Sequence, residues 1–440
     1  MTLEDYLEQD ARRYPDKIAV VCAGEAVTYA ELYDRVMTHC RNLTRASYQK
    51  GQIVTLRSSQ SVDFLIQYFA LHRVGCVVAP LEKDTPNMLF DRISEHLAQF
   101  QAPEGTADIL YTTGTTGMPK GVMVSHRAII ADAENLIDGQ GFSHELAFVV
   151  NGPLNHIGSL SKIYPVVLLG ATLIITDGLK DINRFFEAFS YPAEKFATFL
   201  VPASIRILIQ FSANRLAELA DKIDFVETGA AAIAHDDMLR LCQLLPHSRL
   251  YNTYASTETG IICTYNYNDG RCVAGCLGRP MKHAQVFITE KKCIACKGPT
   301  LMSGYIGEPE RTARILRDGT LYTSDIGCLD EEGMLHLSGR EDDVINVGGF
   351  KVAPTEVEDA ALSYAGVTDC VCIAVKHPIT GTALKLLVVT DEEPLNKRAL
   401  ALFLKQRLEP YKIPMLYEQV ATVKRTFNGK IDRKFYHKSE

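Results

Sequence analysis

The stretch Ile109–His126 reads ILYTTGTTGMPKGVMVSH, setting Thr112, Thr113, Thr115 and Thr116 around Gly114 and Gly117 with Lys120 close behind. Apolar β-type runs flank it on both sides. Four hydroxyls, several unshielded backbone amides and one lysine in a single turn have the chemistry of a phosphate cradle. Two common phosphate loops do not fit. The Gly-Lys-Ser/Thr ending of the nucleoside-triphosphatase loop is absent, since Lys120 lies between Pro119 and Gly121. The glycine spacing of a dinucleotide loop is absent too. Taken alone, these residues also fit an ordinary hairpin rich in turn formers.

Outward from this loop, short apolar runs alternate with amphipathic helical patterns. KIAVVCAG precedes a helix over 28–44, QIVTLRSS one over 61–73, and CVVAPL one over 86–99. The rhythm continues through ATLIIT, KFATFLVP, DFVETGA and SRLYNTYAS and predicts a parallel α/β sheet. The longest apolar run, IYPVVLLGATLII from Ile163 to Ile175, is too short for a membrane span and reads as buried sheet. From about Gly270 to Leu337, short strands joined by Gly and Asp turns predict a β-rich subdomain. A charged, glycine-containing junction then leads into a smaller α+β segment, and the boundary falls at Asp342.

The chain has 440 residues, 47% of them hydrophobic and 22% charged, so it has ample material for a large core and a smaller domain. A net charge of -7 gives no support to nucleic-acid binding. The polar, acidic start MTLEDYLEQD is no secretory signal, and twelve cysteines without such a signal read as free thiols of a reducing cytoplasm. Cys272, Cys276, Cys293 and Cys296 are spaced closely enough to supply a zinc site. Their segments, AGCLGRP and KKCIACKGP, alternate like neighbouring strands of a small sheet, which favours buried thiols.

TTGTTGMPKG resembles the signature loop of the adenylate-forming (AMP-binding) superfamily, which includes acyl- and aryl-CoA synthetases. VTYAELYDRV, VGCVVAPL, PLNHIGS, ETGAAAI, YASTETG, the run from Tyr322 to Glu358 and RTFNGKIDR match further family landmarks in the family's order. The resemblance implies an α/β large N-terminal domain with stacked α/β subdomains and a β-rich subdomain over residues 1–341. A small mobile α+β C-terminal domain over 342–440 follows, with its hinge at Asp342. It also implies two half-reactions. A carboxylic acid and ATP form an acyl adenylate, and the thiol of coenzyme A, or of an acyl carrier protein supplied in trans, then displaces AMP.

Residue by residue, Thr112, Thr113, Gly114, Thr115, Thr116, Gly117 and Lys120 correspond to the cradle for the β- and γ-phosphates. Glu258 corresponds to the Mg²⁺ ligand and Thr257 to a hydroxyl on the α-phosphate. Gly229, Ala230, Ala231 and Tyr254 correspond to the adenine site, Asp325 to the ribose acceptor and Arg340 to a second ribose or phosphate contact. Lys430 corresponds to the lysine that meets the carboxylate and α-phosphate during adenylation. Gly349, in the GGFK loop, corresponds to a residue beside the pantetheine channel that replaces Lys430 after rotation.

His156 stands where acyl- and aryl-activating members carry an aromatic gate, and PLNHIGS contains no acid to hold an amino group, which disfavours amino acids. Ser159, Thr228, Gly229 and Ser256 complete a pocket of small residues for a small carboxylic acid. Three departures stand out: Ala255 after the stacking tyrosine, Lys424 before the last motif, and a shortened spacer between VAPLEKD and the cradle. The shortening leaves a second class open, a non-catalytic nucleotide-binding scaffold. Intact Lys120, Glu258, Asp325 and Lys430 favour the enzyme.

Overall fold

The computed structural model describes residues 1–112, 120–179, 181–347, 350–378, 381–391, 394–426 and 430–437. Local chemistry sets the helix starts. The Thr28 hydroxyl accepts from Glu31 N while the Glu31 carboxylate accepts from Thr28 N, a reciprocal cap that opens helix Tyr29–Arg45. Ser61 caps Val62–Arg73 and Ser125 caps His126–Gln140 in the simpler one-way form.

The larger sheet has 14 strands. In its centre Leu146–Val150, Lys195–Phe199, Ile223–Thr228 and Arg249–Ser256 run parallel, as the strand–helix rhythm predicts. Arg249–Ser256 then turns back through residues 257–259 into the antiparallel strand Gly260–Asn266. Beyond it, Cys276–Pro280, Leu335–Arg340, Thr320–Leu329, Cys293–Lys297 and Gln285–Ile288 continue edge to edge. The β-rich segment therefore extends the central sheet. A second sheet of five strands contains Ile53–Ser58, Val77–Glu82, Thr106–Thr112, Lys120–Ser125 and Gly304–Tyr305. The strands Thr106–Thr112 and Lys120–Ser125 pair antiparallel, so residues 113–119 join the two arms of a hairpin.

Residues 345–419 form sheets of their own, Ile345–Val347 with Phe350–Val352 and Val367–His377 with Gly381–Thr390 and Leu416–Gln419. Val357, Leu384, Leu386, Val388, Leu400 and Leu404 make a separate core there. No described helix is long and apolar enough to cross a membrane.

Two expectations are corrected. The run Ile163–Ile175 is not continuous sheet: Ile163–Leu169 is helical and only Thr172–Ile175 is a strand. Pro165 sits in the first helical turn, where its missing N–H is not needed, and Gly170 ends the helix at φ 60°. A fully buried helix carries no polar stripe, so hydrophobicity alone did not separate it from a strand. The cysteine strands Cys276–Pro280 and Cys293–Lys297 are not neighbours either, since Leu335–Arg340 and Thr320–Leu329 lie between them. Among the described residues the four cysteines join no metal-ligating group; burial pushes the Cys296 thiol up to about 12.

The N-terminal helix Leu3–Arg13 is fastened by a buried histidine. His72 Nδ1 lies 3.1 Å from Glu4 Oε1 and Nε2 lies 3.1 Å from Asp108 Oδ1. The Tyr68 hydroxyl donates to the other Asp108 oxygen at 2.8 Å. Burial opposes a charge on His72, but Asp108 and Glu4 outweigh it and push its pKa up to about 10.

Candidate active site

The turn 257–259 is locked by its own hydroxyls. Ser256 N donates to Thr259 Oγ1 at 2.9 Å, and Thr259 N donates to Ser256 Oγ at 3.0 Å. This holds Thr257 and Glu258 at the tip of the hairpin. The Glu258 carbonyl accepts from Met302 N, and its Oε1 accepts from the Tyr305 hydroxyl at 2.8 Å. Over the Tyr305 ring lies Lys120, its Nζ 5.5 Å from the ring centroid. The Arg311 guanidinium lies 5.6 Å from the same centroid. One tyrosine thus touches the candidate metal ligand and neighbours two cations. Burial and Arg311 lower the Lys120 pKa, opposed by Glu258 and Glu308. Motif reading missed Tyr305, because a tyrosine on a two-residue strand carries no local signal.

Thr112 faces Lys120 across the hairpin. Gly121 is required there: a Cβ would come within 2.6 Å of Ile306 and 2.9 Å of Ile109. Thr113, Gly114, Thr115, Thr116, Gly117 and Gly349 lie outside the described residues, as does the side chain of Asp342.

A second group forms on strands Thr320–Leu329 and Leu335–Arg340, whose register puts Asp325 opposite Arg340. Arg340 Nε is 3.3 Å from Asp325 Oδ1, and the Tyr254 hydroxyl donates to Oδ2 at 2.6 Å. Burial and the Asp325 charge raise the Tyr254 pKa, so the phenol stays a donor. Arg340 also donates to Ser324 Oγ at 2.8 Å. Next to this group the chain leaves Ile223–Thr228. A Cβ at Gly229 would approach Thr253 O to 2.9 Å, so close packing of two backbones demands glycine. Ala230 adopts φ 68°, and Ala230 and Ala231 are exposed.

Lys430 reaches this cleft from the C-terminal segment. Its carbonyl accepts from Thr426 N, and the flanking Arg425 and Arg433 are tied to Asp369 and Glu358, each at 2.7 Å. Lys430 stays exposed to solvent beside the cleft walls. Desolvation by those walls and Arg340 lower its pKa, while Asp325 and Glu258 oppose the shift. His156 feels the same ammonium: burial, aided by Lys430, pushes its pKa down to about 4, so the ring is neutral near pH 7. It stands at the start of helix Ile157–Leu160. Lys120, Arg340, Lys430, Glu258 and Asp325 therefore share one electrostatic neighbourhood, with His156 in the field of Lys430. That set suits a polyanion with a hard cation. A single carboxylate, Glu258, fits Mg²⁺, which takes most of its remaining ligands from phosphates and water.

Residues 7–97 and 91–306 match the family model described as AMP-binding enzyme, and residues 356–430 match the AMP-binding enzyme C-terminal domain. The chain belongs to the AMP-binding enzyme family. The two N-terminal matches meet at 91–97, beside the spacer that the sequence shows as short. Among curated relatives, the 2-succinylbenzoate–CoA ligase of Bacillus cereus (strain Q1) is 25% identical over 472 aligned positions, covering 94% of each chain. The feruloyl-CoA synthase of Amycolatopsis sp is 27% identical over 478, covering 96% of this chain and 95% of the relative. Among solved structures, ATP-bound MatB from Rhodopseudomonas palustris superposes with a TM-score of 0.89 at 23% identity, covering 100% of this chain and 99% of MatB. The o-succinylbenzoate CoA synthetase of Bacillus subtilis with its acyl-adenylate gives 0.85 at 22%, covering 98% and 97%. These AMP-binding enzymes share the architecture found here, a large α/β part and a small C-terminal part.

Proposed function

We propose that this AMP-binding enzyme is an acid–thiol ligase that joins a small carboxylic acid to AMP and then passes the acyl group to coenzyme A. The observation that carries this reading is Lys430 in the field of Arg340, Asp325 and Glu258. A nucleotide sensor has no need of an ammonium brought to these three groups by a separate segment. The relatives' names, a 2-succinylbenzoate–CoA ligase and a feruloyl-CoA synthase, support coenzyme A as acceptor.

In the first half-reaction the acid's carboxylate attacks the α-phosphorus and pyrophosphate leaves. Lys430 neutralises charge on the incoming carboxylate and the α-phosphoryl oxygens, and Lys120 and Arg340 hold charge on the triphosphate. Thr257 offers the α-phosphate a hydroxyl. Glu258 would hold Mg²⁺, which offsets phosphate charge when bound. Asp325 accepts from the ribose hydroxyls, exchanging its bonds to Tyr254 and Arg340 for them. Neutral His156 closes the acyl side without adding a cation.

Residues 1–341 act as the AMP-binding domain and 342–440 as the mobile one, pivoting at Asp342. Support comes from the separate core of residues 345–404 and from the turn Glu341–Asp343 at the junction. Rotation there withdraws Lys430 and brings in the loop containing Gly349 for thioester formation. Twelve free thiols support a cytoplasmic setting. Incubation with Mg-ATP, a panel of acids and coenzyme A, read by mass spectrometry, should yield AMP and one class of acyl-CoA. An acyl adenylate that persists despite coenzyme A would point to a carrier protein, and no AMP with any acid would refute the reading.

A further inference from the structure

Strand Lys120–Ser125 carries Lys120 at one end and runs into His126 at the other. Around that second end three helices meet. Glu4 lies in the first turn of Leu3–Arg13, His72 in the last turn of Val62–Arg73, and His126 opens His126–Gln140. One carboxylate oxygen of Glu4 and one ring nitrogen of each histidine lie within 4.8 Å of one another. The two rings stand edge to face, 5.2 Å between centroids at an interplanar angle of 74°. Glu4 and His72 are buried, and His126 is half-buried, so an ion has a way in on its side.

The hydrogen bonds of His72 fix which of its nitrogens can take an ion. Nε2 faces Ala107 O at 3.2 Å and Asp108 Oδ1 at 3.1 Å. A carbonyl oxygen only accepts, so Nε2 carries the hydrogen. Nδ1 then faces a second acceptor, Glu4 Oε1, at 3.1 Å. A ring lone pair and a carboxylate oxygen that close need a positive charge between them. In the metal-free chain a proton fills that place; a metal ion fills it equally. A ligating histidine whose other N–H is held by a carboxylate is the usual support of a protein metal site. His126 supplies the second imidazole. Its Nδ1 is buried with no hydrogen-bond partner among the described residues, which is costly for a polar atom.

We propose that Glu4, His72 and His126 form a structural zinc site that pins the N-terminal helix to the base of the phosphate hairpin. The donor set selects the ion. Two imidazoles and one carboxylate suit zinc, whereas Mg²⁺ prefers oxygen ligands. Charge agrees, because Glu4 and Asp108 are two buried carboxylates that one divalent ion cancels, while a single proton leaves one over. Zinc bonds of about 2.0–2.2 Å set ligands about 3.3–3.5 Å apart, so the group closes with shifts below about 1 Å. A water on the His126 side completes four-coordination. The ion touches neither ATP nor the acid, and the site stands apart from the Mg²⁺ ligand Glu258.

The test titrates the chelator-treated full chain with Zn²⁺ and, separately, with Co²⁺, in excess Mg²⁺. Free thiols also attract these ions, so Co²⁺ reads the ligand type. It should give the visible bands of a four-coordinate nitrogen and oxygen site, which thiolate ligation does not reproduce. Zn²⁺ at about a hundredfold excess over its Kd should raise the melting temperature by about 2–5 °C. His126→Leu and Glu4→Gln should each weaken the nitrogen and oxygen site by about tenfold or more and abolish that rise. His126→Leu keeps the Glu4–His72–Asp108 hydrogen bonds, so its fold is retained even where Glu4→Gln loosens the helix. Thiolate bands alone, no cobalt spectrum, or unchanged affinity and melting rise in His126→Leu would overturn the proposal.

Discussion

Tyr305 is the residue on which the phosphate side of the cleft turns. Its hydroxyl fixes Glu258, and its ring lies beside Lys120 and Arg311. Hydrogen bonds to charged groups contribute about 1.5–3 kcal/mol. Tyr305→Phe should therefore raise the KM for Mg-ATP by about tenfold while leaving the fold intact, as read by initial rates and by the melting temperature. At the same scale, motifs made Glu258, Asp325, Tyr254 and Lys430 legible, because their spacing in the chain is their signature. Tyr305, the Lys162–Glu227 pair and the Glu4–His72–Asp108 clamp were not legible. The two charged groups are made by residues 36 to 68 positions apart, and no local pattern announces such a meeting.

Among the elements, the N-terminal helix shows how one buried group sets pH dependence. His72 titrates at about 10 in the folded chain, against an ordinary value of 6.5. The folded state thus binds the proton more tightly. The stabilisation is complete below about pH 6.5 and is lost as the pH rises through about 10. Asp132, raised by burial to about 8, acts with the same sign over a lower range. Denaturant unfolding should accordingly show stability falling between pH 8 and 10, and His72→Gln should flatten that fall. At neutral pH, His72→Leu should cost about 3 kcal/mol or more, since Glu4 and Asp108 would be left buried together. Element boundaries were mostly legible: the helix expected over 61–73 is Val62–Arg73, with Ser61 as its cap. The run Ile163–Ile175 was misread because complete burial erases the polar face that separates a helix from a strand.

For the whole molecule, the proposed reading makes the orientation of residues 342–440 decide which half-reaction is served. Arg206 on helix Pro202–Ala217 donates to Thr368 O at 3.0 Å and pairs with Asp237 at 2.7 Å, joining the C-terminal sheet to the large domain. Arg433 pairs with Asp343 at the junction at 3.3 Å. These contacts belong to the arrangement with Lys430 in the cleft. Arg206→Ala should slow acyl-adenylate formation by about three- to tenfold, from loss of a hydrogen bond between the two parts. It should leave the transfer from supplied acyl adenylate to coenzyme A unchanged or faster, as measured by stopped assays of each step.

The most direct test of the account is to separate the two half-reactions in Lys430→Ala, following acid-dependent pyrophosphate release for the first and thioester formation from a supplied acyl adenylate for the second. Loss of charge stabilisation at the α-phosphate should slow the first by about 10²–10³-fold. The second should stay within about twofold of the unsubstituted enzyme, because in the proposed rotation Lys430 has left the site by then. Equal loss of both, or no loss of the first, would contradict it.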